Sequence, residues 1–228
     1  METADEFSKI AFLLGDRSRS IMLWHLLDGR AYTPTELSLF ANISAQSASN
    51  HLSKLVEANI VSVDFQGRHR YYRFASDEVA HAVEVMASLV TVQPAKKKNL
   101  EEPSGITYAR TCYDHLAGRL AVDITACFIR KGIIKPYTNQ YIITNHGTGW
   151  LQSLGINSEE LRSQKRSIAR PCLDWSERKN HLAGALGAAF LQHLLKNDWI
   201  RRIRNSREVV ITASGRKELE RNLSITVR

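Results

Sequence analysis

Ser44-Ala45-Gln46-Ser47-Ala48-Ser49-Asn50-His51-Leu52-Ser53-Lys54-Leu55-Val56-Glu57-Ala58 sorts its side chains onto two faces of one helix. Ser44 is placed to cap it, and the helix is expected from Ala45 to about Ala58. Ala48, Leu52, Leu55 and Val56 form an apolar stripe. Gln46, Ser47, Ser49, Asn50, His51, Ser53 and Lys54 form the opposite face. Just upstream, Thr33-Pro34-Thr35-Glu36 is a capping box with proline at the first helical position. It opens a helix through Leu37, Leu39 and Phe40 to about Ala41. Asn42-Ile43 is the turn between the two. A short capped helix, a tight turn and a helix with a polar outer face spell a helix-turn-helix. Gln and Asn can pair bidentately with adenine in a major groove, and Ser, His and Lys can reach bases or phosphates.

The surroundings agree. Phe7, Ile10, Ala11, Leu13 and Leu14 give a first helix, and Ile21 to Leu27 a second, stopped at Asp28-Gly29. Downstream, Ile60 to Phe65 and Arg70 to Phe74 alternate as strands about Gln66-Gly67. The tip of that hairpin carries Arg68, His69 and Arg70, a wing suited to phosphates or the minor groove. A last helix is expected from Ser76-Asp77 to about Thr91, with Val79, Ala82, Val83, Met86 and Leu89 on one face.

The run from Ser44 to Val61, with Gly67-Arg68 and Tyr71-Tyr72, resembles the ArsR/SmtB repressor family over residues 5 to 91. The resemblance implies a homodimer paired mainly through the first and last helices. It also implies a palindromic operator in double-stranded DNA and repression released by a signal. Ser44, Gln46, Ser47, Ser49, Asn50, His51, Lys54, Arg68, His69 and Arg70 become the expected DNA contacts. The chain departs from the family where its best known metal site lies. The paired thiolates of the third helix are replaced by Glu36-Leu37-Ser38-Leu39-Phe40. In the last helix Asp77 and His81 share a face, but one His per chain is meagre for four-coordinate zinc. No metal site is assigned there.

Residues 92–106, with Gln93-Pro94, Lys96-Lys97-Lys98 and Glu101-Glu102-Pro103-Ser104, read as a linker. Residues 107–228 repeat themselves. Ala109-Arg110-Thr111-Cys112-Tyr113-Asp114 returns as Ala169-Arg170-Pro171-Cys172-Leu173-Asp174. His115-Leu116-Ala117-Gly118 returns as His181-Leu182-Ala183-Gly184, after an insertion at Trp175 to Asn180. Ile143-Thr144-Asn145-His146-Gly147 answers Ile211-Thr212-Ala213-Ser214-Gly215. Each copy is expected to run helix, hairpin, helix, with hairpins over Ile133 to Thr144 and Trp199 to Thr212. Leu-Ala-Gly is read as helical, so Gly118 and Gly184 suggest close helix crossing between copies about a pseudo-two-fold axis. The fold class is thus mainly α with small β-hairpins (α+β). A winged helix-turn-helix at 1–91 precedes a domain of two diverged helix–hairpin–helix repeats.

If the copies meet, Cys112, Asp114, His115, Cys172, Asp174 and His181 converge. These are the effector candidates. Thiolate, carboxylate and imidazole can bind a soft metal, or make a redox-sensitive cysteine or small-molecule pocket. They can equally be buried structural cysteines with Asp or His capping a helix. Trp150, Trp175, Trp199, Tyr108 and Tyr113 read as core or pocket walls. Lys196, Arg201, Arg202, Arg204 and Arg207 form a basic run that is either a solvated face or a second phosphate contact.

Bulk properties narrow the class. The net charge is +8 over 228 residues. Residues 1–91 hold 8 Lys+Arg against 11 Asp+Glu, a net of −3, so the remainder carries +11. Basic excess favours polyanions. There is no apolar run long enough to cross a bilayer and no basic-then-apolar leader, so a cytoplasmic protein without membrane contact is expected. Three cysteines with no Cys-x-x-Cys give no disulfide framework. No nucleophile elbow, phosphate loop or His-Glu-x-x-His is present, so no catalytic residue and no cofactor are expected. The reading is a DNA-binding repressor released by a small-molecule inducer, a redox change or a metal acting through the C-terminal half. The alternatives are a DNA-binding domain fused to a thiol- or metal-dependent enzyme, and an architectural DNA binder without effector.

Overall fold

The computed structural model describes residues 2–90, 103–204 and 206–227. They fall into two compact units, one within 1–89 and the other within 90–228. Most of the expected linker, 92–102 with its lysine run, lies outside the described residues, as does Thr91. Its last two residues already belong to folded structure: Gly105–Thr107 is a 3-10 turn of the second unit.

The first unit runs α1 (Glu2–Gly15), α2 (Arg17–Leu26), α3 (Pro34–Ala41), α4 (Ala45–Glu57), β1 (Val61–Gln66), β2 (His69–Phe74) and α5 (Asp77–Ser88). Its joints are built by local chemistry. The Glu36 amide donates to Thr33 Oγ1 at 3.3 Å, and the Thr33 amide donates to Glu36 Oε2 at 2.7 Å. Asn42 ends α3 in the left-handed region at φ 52°. The Ser47 amide donates to Ser44 Oγ at 3.1 Å, starting α4. Ala48, Leu52 and Leu55 of α4 then close on Met22, Leu23, Leu26 and Leu37. The wing pairs Val61 with Phe74 through to Gln66 with His69, turning at Gly67 (φ 60°) and Arg68. Tyr32 adds a short bridge, its amide donating to Tyr72 O at 2.9 Å. The last helix stops at Ser88, short of the expected Thr91, and its expected stripe divides. Val79 and Val83 pack on the core, whereas Ala82, Met86 and Leu89 are exposed.

The second unit contains β3 (Arg110–Cys112), β4 (His115–Ala117), α6 (Arg119–Arg130), β5 (Ile134–Tyr137), β6 (Gln140–Ile143), α7 (Asn145–Ser153) and α8 (Ser158–Arg162). Then follow β7 (Arg170–Leu173), β8 (Asn180–Ala183), α9 (Gly184–Lys196), β9 (Ile200–Arg202), β10 (Val209–Ile211) and α10 (Ala213–Leu223). All five sheets of the chain's described residues are two-stranded antiparallel hairpins.

Two expectations are corrected here. Leu116-Ala117 and Leu182-Ala183 are strand residues in β4 and β8, not helical. Gly118 and Gly184 therefore sit at the strand-to-helix corner rather than in mid-helix, with φ 87° and 86°. A Cβ at Gly118 would lie 2.7 Å from Tyr108 O, and one at Gly184 would lie 2.7 Å from Ser167 O. Glycine is there for the turn and the close backbone, not for helix crossing. Cys112, Asp114, His115, Cys172, Asp174 and His181 accordingly lie on the two hairpins rather than at the start of their own helices, while Cys127 lies within α6.

The elements of the second unit interlock. α6 packs on β8 and α9 on β4. The Leu182 amide donates to Thr125 Oγ1 of α6 at 2.9 Å. The Val209 amide donates to Ala109 O at 3.1 Å, and the Tyr141 amide to Ala169 O at 2.9 Å. One core joins Leu120, Ile124 and Phe128 of α6 to Leu186, Phe190 and Leu194 of α9. Trp199 is buried in it, with Trp150 and Tyr108 packed alongside, but Tyr113 is 45 % exposed and is no wall. The gap among Leu116, Ala121, Thr125, Leu182, Gly187 and Phe190 measures about 10 Å³. That is room for one water, so no ligand-sized cleft opens there.

Candidate nucleic-acid interface and cysteine-histidine cluster

The polar face of α4 is presented to solvent in part. Gln46, Asn50, Ser53 and Lys54 are exposed, while Ser47 and Ser49 are half-buried. Gln46 Nε2 donates to Asn50 Oδ1 at 3.3 Å, so the two amides stand together one helical turn apart. Ser44 spends its hydroxyl as an acceptor for the cap. His51 turns inward. Its Nδ1 is 3.3 Å from Nη1 of the buried Arg19 and 3.7 Å from Asp16 Oδ1. Arg19 in turn donates from Nε to Leu13 O at 2.6 Å. His51 thus fastens α4 to the α1–α2 corner. The Arg19 amide and its charge, with His51 nearby, hold the Asp16 carboxyl below its usual range. Arg68, His69 and Arg70 are all exposed at the wing tip, and the Arg70 guanidinium lies 5.6 Å over the Phe65 ring. In α5, Asp77 is exposed and His81 half-buried.

The effector candidates converge. Cys112 and His115 face each other across β3–β4, and Cys172 and His181 across β7–β8. One donor atom from each of the four lies within 4.8 Å of the others. His115 Nε2 and His181 Nε2 are 3.1 Å apart. Each imidazole has a carboxylate behind it: His115 Nδ1 is 3.2 Å from Asp114 Oδ1, and His181 Nδ1 is 3.2 Å from Asp174 Oδ2. The second contact is off the line of a hydrogen bond. Asp174 is fully buried and is the hub. It accepts from Arg110 Nη2 at 2.9 Å, the Gly118 amide at 2.7 Å, and the Ser176 hydroxyl at 2.7 Å. Arg110 is equally buried, its guanidinium 4.8 Å over the Trp175 ring. Asp114 accepts from Arg166 Nη1 at 2.5 Å.

These contacts set the ionisation. Burial would raise the Asp174 carboxyl, but His181, Arg110, Ser176 and the Gly118 amide outweigh it and hold it far below the carboxylate range. His115 and Arg166 do the same for Asp114, again against burial. A hydrogen bond from Cys112, with His115 and His181 beside it, pulls the Cys172 thiol strongly down. Burial disfavours a charged His181, but Asp174 and Cys172 raise its pKa nonetheless. Cys127 stands apart, its sulfur donating to Leu223 O at 3.0 Å.

Sequence reasoning missed Arg110 and Arg166 as the cations of this cluster. A signal for Arg110 was present, since it sits in the repeated Ala-Arg-x-Cys. Of the basic run, Arg201 is paired with Asp198 at 2.6 Å and Arg207 donates to Thr111 O at 3.0 Å, while Arg202 and Arg204 are exposed.

Four helices, a two-residue-turn hairpin and an outward polar helix define a winged helix-turn-helix, a DNA-binding fold. The chain is 42 % identical over 221 residues to the HTH-type transcriptional regulator YdfF of Bacillus subtilis (strain 168), covering 96 % of this chain and 98 % of that one. It belongs to this family of helix-turn-helix transcriptional regulators. No family model matches the chain. Among solved structures it is similar to the homodimeric winged helix-turn-helix domain of Mb0332 from Mycobacterium bovis, described as a possible ArsR-family regulator. That likeness is 20 % identity at TM-score 0.36, over 39 % of this chain and 81 % of the other. It is also similar to the transcriptional repressor BigR from Xylella fastidiosa, at 22 % identity and TM-score 0.36, over 40 % and 93 %. Among the described residues no helix is long and apolar enough to cross a membrane.

Proposed function

We propose that the chain is a sequence-specific repressor that binds a palindromic operator as a homodimer and releases it on a signal received by the second unit. The observation that carries the reading is the pairing of the exposed Gln46 and Asn50 amides on α4 with the exposed Arg68–Arg70 tip of the wing. The amides supply base readout and the arginines supply phosphate or minor-groove contact. His51 is withdrawn from this set by its contact with Arg19. Binding assays on an operator and its scrambled version test the reading. Gln46→Ala or Asn50→Ala is expected to lower the preference by about 1–3 kcal/mol per lost bidentate contact. An unchanged preference in both variants removes α4 from the reading role. Arg68→Ala is expected to weaken binding to both sequences alike and to flatten the salt slope by about one unit.

Exposed apolar residues support the homodimer. Phe7 and Phe12 of α1 are 74 % and 78 % exposed, and Met86 and Leu89 at the end of α5 are 47 % and 76 % exposed. A second copy covering these faces explains apolar side chains that one copy leaves in water. Sedimentation of Phe7→Asp is expected to give monomer where the parent gives dimer. A parent that sediments as a monomer at micromolar concentration contradicts the dimer.

We infer also that the second unit is a duplicated module in which each copy lends its hairpin to the other. The repeated Ala-Arg-x-Cys and His-Leu-Ala-Gly segments support this, as do the matched corner glycines and the exchange of packing between α6 with β8 and α9 with β4. Such a unit places its polar residues where two copies meet, which is where a signal can be received.

A further inference from the structure

We propose that Cys112, His115, Cys172 and His181 form a four-ligand site for one thiophilic divalent cation of the zinc class, joining the β3–β4 and β7–β8 hairpins. This assigns the second unit a ligand, and it stands whether or not α4 reads DNA.

Geometry is the first argument. Zinc–sulfur and zinc–nitrogen bonds of ~2.0–2.3 Å put tetrahedral donors ~3.3–3.8 Å apart. The four donor atoms here lie within 4.8 Å of one another, with the imidazole pair at 3.1 Å. Small side-chain adjustments close the set. Because Cys and His face each other across each hairpin, the backbone holds each Cys–His pair before any ion arrives.

Proton placement is the second. Asp114 in hydrogen-bond contact with His115 Nδ1, and the Asp174 charge 3.2 Å from His181 Nδ1, favour protons on the Nδ1 atoms and free each Nε2 to ligate. The two Nε2 atoms face one another across 3.1 Å, close enough to share a proton, and a cation taking that place would be bound by both. Carboxylates behind metal-bound histidines are the usual orienting partners.

Charge is the third. Arg110 neutralises Asp174 and Arg166 neutralises Asp114. The two cysteines are then the remaining source of negative charge in the cluster, and a divalent cation balances the two thiolates they form on binding it. Binding releases to solvent every proton held on the two sulfurs and on the ligating Nε2 atoms, leaving two thiolates and two neutral imidazoles on the ion. Two sulfurs and two nitrogens select a tetrahedral, thiophilic ion over magnesium or calcium. With four protein ligands no position stays open, so the ion serves as a clamp on the hairpins rather than a reagent.

The test uses the full reduced chain. Elemental analysis of the purified protein, and titration of the chelator-stripped protein with Co²⁺ alone, should give one ion per chain and the intense visible absorption of tetrahedral thiolate-bound cobalt. Adding Zn²⁺ should displace the cobalt and protect two thiols from a thiol reagent. Cys112→Ser with Cys172→Ser should abolish the spectrum, while Cys127→Ser should keep it. Asp114→Asn should leave the spectrum in place but lower affinity about 10–100-fold. The proposal is overturned by a weak octahedral cobalt spectrum. It is equally overturned if mass spectrometry finds a Cys112–Cys172 disulfide in protein whose reduced form takes up neither ion.

Discussion

Asp174→Ala is expected to destabilise the second unit by about 3–5 kcal/mol, the cost of leaving a buried charge without its partner. Arg110 is fully buried and its Nη2 meets Asp174 Oδ2 at 2.9 Å. The same carboxylate accepts from the Gly118 and Glu177 amides and from Ser176, so alanine also strips acceptors from the strand-to-helix corner. Asp174→Asn keeps an acceptor and loses only the charge, so it should fall between alanine and the parent. Tryptophan fluorescence in urea is a suitable readout, because Trp150, Trp175 and Trp199 lie in the second unit and only Trp24 in the first. A loss below about 1 kcal/mol for alanine would mean that the other acceptors of Arg110, Ile106 O at 3.1 Å and Ser176 Oγ at 3.2 Å, suffice with water to hold its charge.

Gly215→Ala is the second large effect, expected to cost about 3 kcal/mol, at the upper end for forced overpacking. A Cβ there would lie 1.9 Å from Trp199 O and 2.5 Å from Trp199 C, backbone atoms that cannot swing aside. Trp199 leads directly into β9, so α10 and the β9–β10 hairpin would be pushed apart. Gly149→Ala is the control in a comparable helix. Nothing lies within 4 Å of its Cβ position, and it sits within α7, so alanine should stabilise by about 0.5–1 kcal/mol. Denaturant unfolding of both variants separates the cases. Equal small effects would mean that the α10 corner relaxes freely.

The helix-turn-helix was readable because its signals are local. Thr33, Pro34, Glu36 and Ser44 act within one turn of where they stand, and the α4 stripe repeats at helical period. The two hairpins carrying the cluster were not readable in that way. Strands β3 and β4 are three residues long and buried at every position, so no alternation marks them. Leu-Ala-Gly followed by an apolar helix then reads as part of that helix. What marks the end of the strand is a positive φ at Gly118, which composition does not display. The six cluster residues were all legible as candidates from the repeat. Their meeting rests on pairings across more than 50 residues, such as Arg110 with Asp174 and Arg166 with Asp114. His51 illustrates the opposite limit. It stands on the polar face by sequence, but the buried Arg19 turns it inward.

In the proposed function, α4 and the wing of two copies read DNA as a two-fold pair. Selecting binding sequences from a random DNA pool with the full chain tests it most directly. The enriched sequences should be palindromic, with half-sites separated by about one helical turn or a multiple of it, ~10 bp each. Enrichment should vanish for the combined Gln46→Ala and Asn50→Ala variant. A pool that emerges unenriched from the parent chain, or enriched equally well by the double variant, contradicts the account.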